Sequence, residues 1–169
     1  YMKTLKLMFV GAFLFALTTQ AFAQQVLREV TVTAANYKYL NAVDPEEAAQ
    51  PVNMLQHYAA SYDIRGAEFY EEENENYVVS FYIPEGKILA AYKDGKIIRT
   101  AERYKNVALP KTITKAVATR FPNWSIAKDV YRVTYIDSKG AATSRFYKLL
   151  LENGNQKMRV KLSERGEFL

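Results

Sequence analysis

Side chains able to do covalent chemistry are sparse in this chain of 169 residues. Histidine occurs once, as His57 between Gln56 and Tyr58. A zinc pair or an H-x-G-H nucleotidyl-transfer motif needs a second histidine, so His57 reads as a helix-surface residue. Cysteine is absent, which removes disulfides, thiolate metal sites and cysteine nucleophiles. Ser61, Ser80, Ser125, Ser138, Ser144 and Ser163 sit in no G-x-S-x-G, and all would have to share one histidine. No glycine pattern that cradles phosphate occurs. The acidic run Glu71–Asn76 lacks the alternating acids and central glycine of a calcium loop and reads as a solvated hairpin tip. Nothing singles out a carboxylate pair for acid–base work. The residues point away from an enzyme, and no metal or cofactor is expected.

Binding is the class that remains, and it depends on the elements that would present a surface. Residues 1–23 have a basic start at Lys3 and Lys6, an apolar run Leu7–Leu17 and a small-residue site at Ala21-Phe22-Ala23. This is the pattern of a secretory signal peptide, with an apolar stretch too short for a membrane span. The expectation is a periplasmic protein with no membrane span, and without an N-terminal cysteine it is not a lipoprotein. Residues 24–44 form an N-terminal segment in which Val26–Thr33 alternates like a strand and Tyr37–Val43 reads as loop.

Residues 106–169 are the clearest unit. Leu109-Pro110 opens a helix that carries Ile113, Ala116, Val117 and Phe121 on one stripe, and Pro122 stops it. Strands are expected at Ile126–Ile136, Ser144–Leu151, Lys157–Leu162 and Gly166–Leu169, with Gly or Asn in turns such as Asp137–Gly140 and Asn153-Gly154-Asn155. Trp124 belongs in the core where helix and sheet meet. Residues 45–105 repeat this plan in weaker form. A short helix over 45–49 and a longer one from Pro51 to about Tyr62 precede strands near Ala67–Glu72, Tyr77–Ile83, Lys87–Tyr92 and Lys96–Arg103. Lys93-Asp94-Gly95 is the strongest hairpin signal. The fold class expected is α+β, a tandem repeat of a helix plus a four-stranded antiparallel meander, with helices on one face of an open sheet.

Charge divides along the same line. Residues 24–100 hold 7 Lys/Arg against 12 Asp/Glu, and residues 101–169 hold 14 against 6. Either the acidic and basic halves attract each other, or the basic half presents a face to an anionic partner. Alternation puts Met158, Val160 and Leu162 on one side of a strand and Lys157, Arg159 and Lys161 on the other. Arg132, Phe146 and Lys148 share the outward parity, and Tyr70, Tyr82 and Tyr92 are the candidates in the first half. Tyrosine and arginine carry much interface energy, although tyrosine is also common in strands for its own sake.

The helix exit Phe121-Pro122-Asn123-Trp124, the helix-plus-strands unit and the closing turns Asp94-Gly95-Lys96-Ile97-Ile98 and Arg165-Gly166-Glu167-Phe168-Leu169 resemble the PepSY-like, β-lactamase-inhibitor-like domains of secreted bacterial proteins. The resemblance covers roughly 52–169. It implies an open antiparallel sheet whose exposed face grips a protein, and it supplies no inhibitory motif. The function expected is a non-catalytic module that engages a cell-envelope protein, for instance one of an outer-membrane complex, through this face. The alternative is a binder of anionic envelope glycan or lipid through the basic second unit. Nucleic acid is not an expected partner for a secreted chain.

Overall fold

A computed structural model describes residues 36–43, 48–72, 76–138 and 142–169. The expected signal peptide, the Val26–Thr33 strand, most of the 45–49 helix and the centres of the acidic run and the Asp137–Gly140 turn lie outside the described residues. Six strands form one antiparallel sheet in strict chain order. They are β1 (Asn76–Ile83), β2 (Gly86–Lys93), β3 (Lys96–Lys105), β4 (Ser125–Ile136), β5 (Ala142–Asn153) and β6 (Gln156–Ser163). Among the described residues three α-helices accompany them: α1 (Tyr37–Val43), α2 (Gln50–Ser61) and α3 (Lys111–Arg120). Among the described residues no helix is long and apolar enough to cross a membrane.

The α+β class and the antiparallel sheet stand, and the eight-strand repeat does not appear in that form. Gly166–Leu169 contributes only a single bridge, Phe168 to Leu162. The expected strand Ala67–Glu72 is instead irregular chain following a short 3-10 turn, Ile64–Gly66. Tyr37–Val43 is helix rather than loop, and buries Tyr39, Leu40 and Val43.

Hairpin chemistry sets the register. Two-residue turns join β1 to β2 at Pro84-Glu85 and β2 to β3 at Asp94-Gly95. The second has φ of 50° and 77°, the left-handed pair that matches strand twist. Between β3 and β4 the chain leaves the sheet for α3. Pro110 precedes that helix, Ile113 and Val117 are its buried residues, and Phe121-Pro122 closes it.

One sheet face is buried under the helices. Its central row runs Gly86–Tyr104–Tyr131–Tyr147–Leu162, each residue directly opposite the next. Tyr131 and Tyr147 stack at 4.5 Å, and Tyr104 stacks on Tyr131 at 6.1 Å. Glycine at 86 is required by that row, because a Cβ there would lie 2.3 Å from Cδ1 of Tyr104 and 3.1 Å from the Arg103 carbonyl oxygen. Gly86→Ala is expected to cost about 1–3 kcal/mol through overpacking. Urea melts measure this, and an unchanged midpoint would show that the Tyr104 ring moves freely.

Glu102 sits on the same buried face, 2% exposed. Its Oε1 accepts from Tyr39 Oη and Thr100 Oγ1, both at 2.9 Å. Its Oε2 accepts from Gln56 Nε2 at 2.8 Å and Tyr104 Oη at 2.9 Å. One carboxylate thus ties α1 and α2 to β3. Burial pushes its carboxyl above the ordinary value, and the four hydrogen bonds pull the other way.

Candidate functional site

The other sheet face is open. Strand pleating sends alternate side chains to it, and the register arranges them in rows that cross several strands. The longest row is Tyr82–Lys87–Arg103–Arg132–Phe146–Ser163. The next is Lys105–Val130–Lys148–Lys161, followed by Lys128–Leu150–Arg159. Tyr82 is 66% exposed at the β1 edge. Phe146 is flanked by cations, with Lys161 Nζ 4.1 Å and Lys148 Nζ 5.8 Å from its ring centre. The acid Glu152 also faces out on this side, and it pairs with Lys157 at 3.0 Å.

Three of these cross-strand pairs set like charges directly opposite one another: Lys87 with Arg103, Arg103 with Arg132, and Lys148 with Lys161. Such pairs weaken a sheet. The fold therefore holds a cationic surface that its own strand pairing opposes.

Of the nine residues expected on this face, seven are brought together: Tyr82, Arg132, Phe146, Lys148, Lys157, Arg159 and Lys161. Tyr92 is not among them. Because β1 and β2 are joined by a two-residue turn, even-numbered residues of β1 face odd-numbered residues of β2, so Tyr82 stands opposite Lys87 while Tyr92 points to the core. It is fully buried, and its hydroxyl donates to the Ala59 carbonyl at 3.3 Å. Tyr70 is outside the sheet altogether and stacks at 5.4 Å on Tyr77, whose register places it on the helix-covered side. Lys87, Arg103, Lys105 and Lys128 join the face without having been singled out. Their signal was available in the alternation of Arg103 and Lys105 about Tyr104.

His57 is half-buried on α2, and among the described residues no cluster of three acids or histidines is placed to hold a metal ion. Trp124, expected in the core, is only half-buried and packs against the core next to the α3 exit rather than within it.

The arrangement can do one thing well: attract and align an anionic surface. Its cations stand on a rigid ladder, and Tyr82 and Phe146 supply amphipathic area between them. No family model, curated protein or solved structure matches the chain.

Proposed function

We propose that this chain is a non-catalytic binding module of the periplasm that engages an acidic surface of a cell-envelope protein through the open sheet face. In this reading two PepSY-like units, 45–105 and 106–169, are fused into the one sheet, and the segment 1–23 directs secretion and is removed. The carrying observation is the opposition of like charges at Lys87–Arg103, Arg103–Arg132 and Lys148–Lys161. A strand pairing that disfavours itself in the free protein is relieved when an anionic partner lies across it. The sequence supports the non-catalytic part through its single histidine, missing cysteine and missing nucleophile motifs.

The test is cross-linking of the tagged protein in its native envelope. One dominant protein partner is expected, attached through residues of the open face. Tyr82→Ala combined with Arg159→Ala should abolish that capture and leave the far-UV spectrum unchanged. Capture that survives both substitutions would remove this face from consideration. Binding should also weaken as salt rises, because exposed charges are screened over about 8 Å at physiological ionic strength.

A further inference from the structure

The two edges of the sheet are finished differently. On β6, Lys157, Arg159 and Lys161 put charge along the rim. The C-terminal residues also fold back on it: Leu169 N–H donates to the Lys161 carbonyl at 2.9 Å, and Ser163 N–H to the Glu167 carbonyl at 2.8 Å. Charge and a covering segment are two ways in which sheets keep an edge from pairing with another chain. β1 has neither. All eight of its residues, Asn76–Ile83, are uncharged. It contains no proline and runs against β2 without a bulge. Among the described residues no strand pairs with its outer side.

The β1 edge is apolar on both faces. Val78 and Tyr82 stand on the open face, 74% and 66% exposed. On the helix-covered face two further exposed rings flank the strand, Tyr58 at 5.7 Å from Phe81 and Phe69 at 6.1 Å from Tyr77. A strand that adds to this edge must itself be apolar on both sides, and β1 is such a strand. The ends of the edge differ in charge. Glu68, Glu71 and Glu72 precede β1, with Lys93 opposite its first residue. Lys87, Arg103 and Lys105 gather with one acid, Glu85, about the turn that follows it. Two copies laid antiparallel bring the acidic end of each to the basic end of the other, whereas a parallel pair would set like ends together.

We propose that a second copy of this chain docks on the β1 edge, joining the two sheets antiparallel about a two-fold axis at Ser80. The result is one sheet of twelve strands, six from each copy. The two-residue turn to β2 makes Ile83–Gly86 a hydrogen-bonded pair, so Val78, Ser80 and Tyr82 turn their main-chain N–H and C=O groups outward. Pairing about Ser80 sets Val78 opposite the partner's Tyr82 on the open face and Val79 opposite the partner's Phe81 on the other. These are the aromatic and β-branched pairs that stabilise antiparallel strands. Lys87 and Lys93 on β2 stay at least three strand spacings from their counterparts, about 14 Å, which exceeds the screening length of about 8 Å. The charged and covered β6 edge offers no continuation, so assembly closes at two copies.

The chain has no cysteine of its own, so a single introduced thiol reports the contact. A hydrogen-bonded antiparallel pair holds its Cα atoms about 5.5 Å apart, within disulfide reach. Under mild oxidation the purified Ser80→Cys variant should form a covalent dimer at least tenfold faster than Lys157→Cys on the β6 edge. Sedimentation equilibrium of the unmodified chain should show a concentration-dependent dimer. Val78→Lys should weaken that dimer at least tenfold with an unchanged far-UV spectrum, and Ser80→Lys, which sets two cations face to face on the axis, should do the same. Neither Val78 nor Ser80 belongs to the cationic face, so loss of the dimer and loss of the protein partner are read separately. A monomer at every concentration, equal trapping of the two thiols, or a dimer indifferent to both lysines would each overturn the proposal. Trapping of a different envelope protein by the Ser80→Cys variant, in place of a second copy, would assign the edge to another chain's strand and overturn it as well.

Discussion

Glu102→Ala should lower the free energy of unfolding by about 4 kcal/mol or more. The substitution leaves Tyr39, Gln56, Thr100 and Tyr104 aimed at an empty space on the buried face. Each buried donor without a partner costs about 1–3 kcal/mol, and the removed side chain adds a void. Both α1 and α2 lose a tie to β3, so the loss should appear as an earlier midpoint in urea. A loss below about 1 kcal/mol would mean that the hydroxyls turn to other acceptors.

The same residue gives the fold a pH dependence of definite sign. Burial holds the folded-state carboxyl above its ordinary 4.5. Over the window from that ordinary value up to the raised one, the folded protein keeps a proton that the unfolded chain has released. The contribution of Glu102 is therefore fully present below the window and is lost as pH rises through it. Asp129 is raised by burial as well and slopes the same way. Subtracting the stability profile of Glu102→Gln from that of the unmodified protein isolates the Glu102 part. A flat difference would show that the four hydrogen bonds offset burial.

Lys148→Glu should move stability and binding in opposite directions. The register places Lys148 directly opposite Lys161. Reversing one charge replaces a repulsive pair with an attractive one, which should stabilise the sheet by roughly 0.5–1 kcal/mol. The same change puts a carboxylate into the middle of the cationic face, and capture of an acidic partner should fall at least tenfold. Thermal melting and the cross-linking yield read the two effects separately. If both fall together, the lysine pair is part of what holds the sheet, and the argument from opposed charges fails.

Most of the sheet was legible because local chemistry and burial agree there. The Asp94-Gly95 turn, the alternation of Lys157 to Leu162 and the prolines around α3 each specify their element within a few residues. The errors occur where a distant contact decides. Tyr37–Val43 has no acid in its first turn and no base in its last, and seven residues are too few for a helix to stand alone. It is helical in company with the burial of Tyr39, Leu40 and Val43, and Tyr39 is tied to a carboxylate on β3. Ala67–Glu72 has the composition of a strand, yet Tyr70 finds its partner in a ring stack with Tyr77. Within the open face, parity along one strand was enough for Lys157, Arg159 and Lys161. Placing Tyr92 needed the register across a hairpin, which no single strand reveals.

The strict chain order of the sheet also bears on how the molecule comes together. Among the described strands, β1 to β3 close over turns of two residues, and so does β5 to β6. Their contacts are local in sequence, and the entropy lost in closing each loop is small. The seam between β3 and β4 differs, because the chain between them detours through α3. That seam carries the Arg103–Arg132 opposition on one side and the Tyr104–Tyr131 stack on the other. Nucleation on either side of the seam is cheap in entropy, so the slow step of folding is expected at the seam, where the chain must close over the α3 detour before the aromatic row can pair across it.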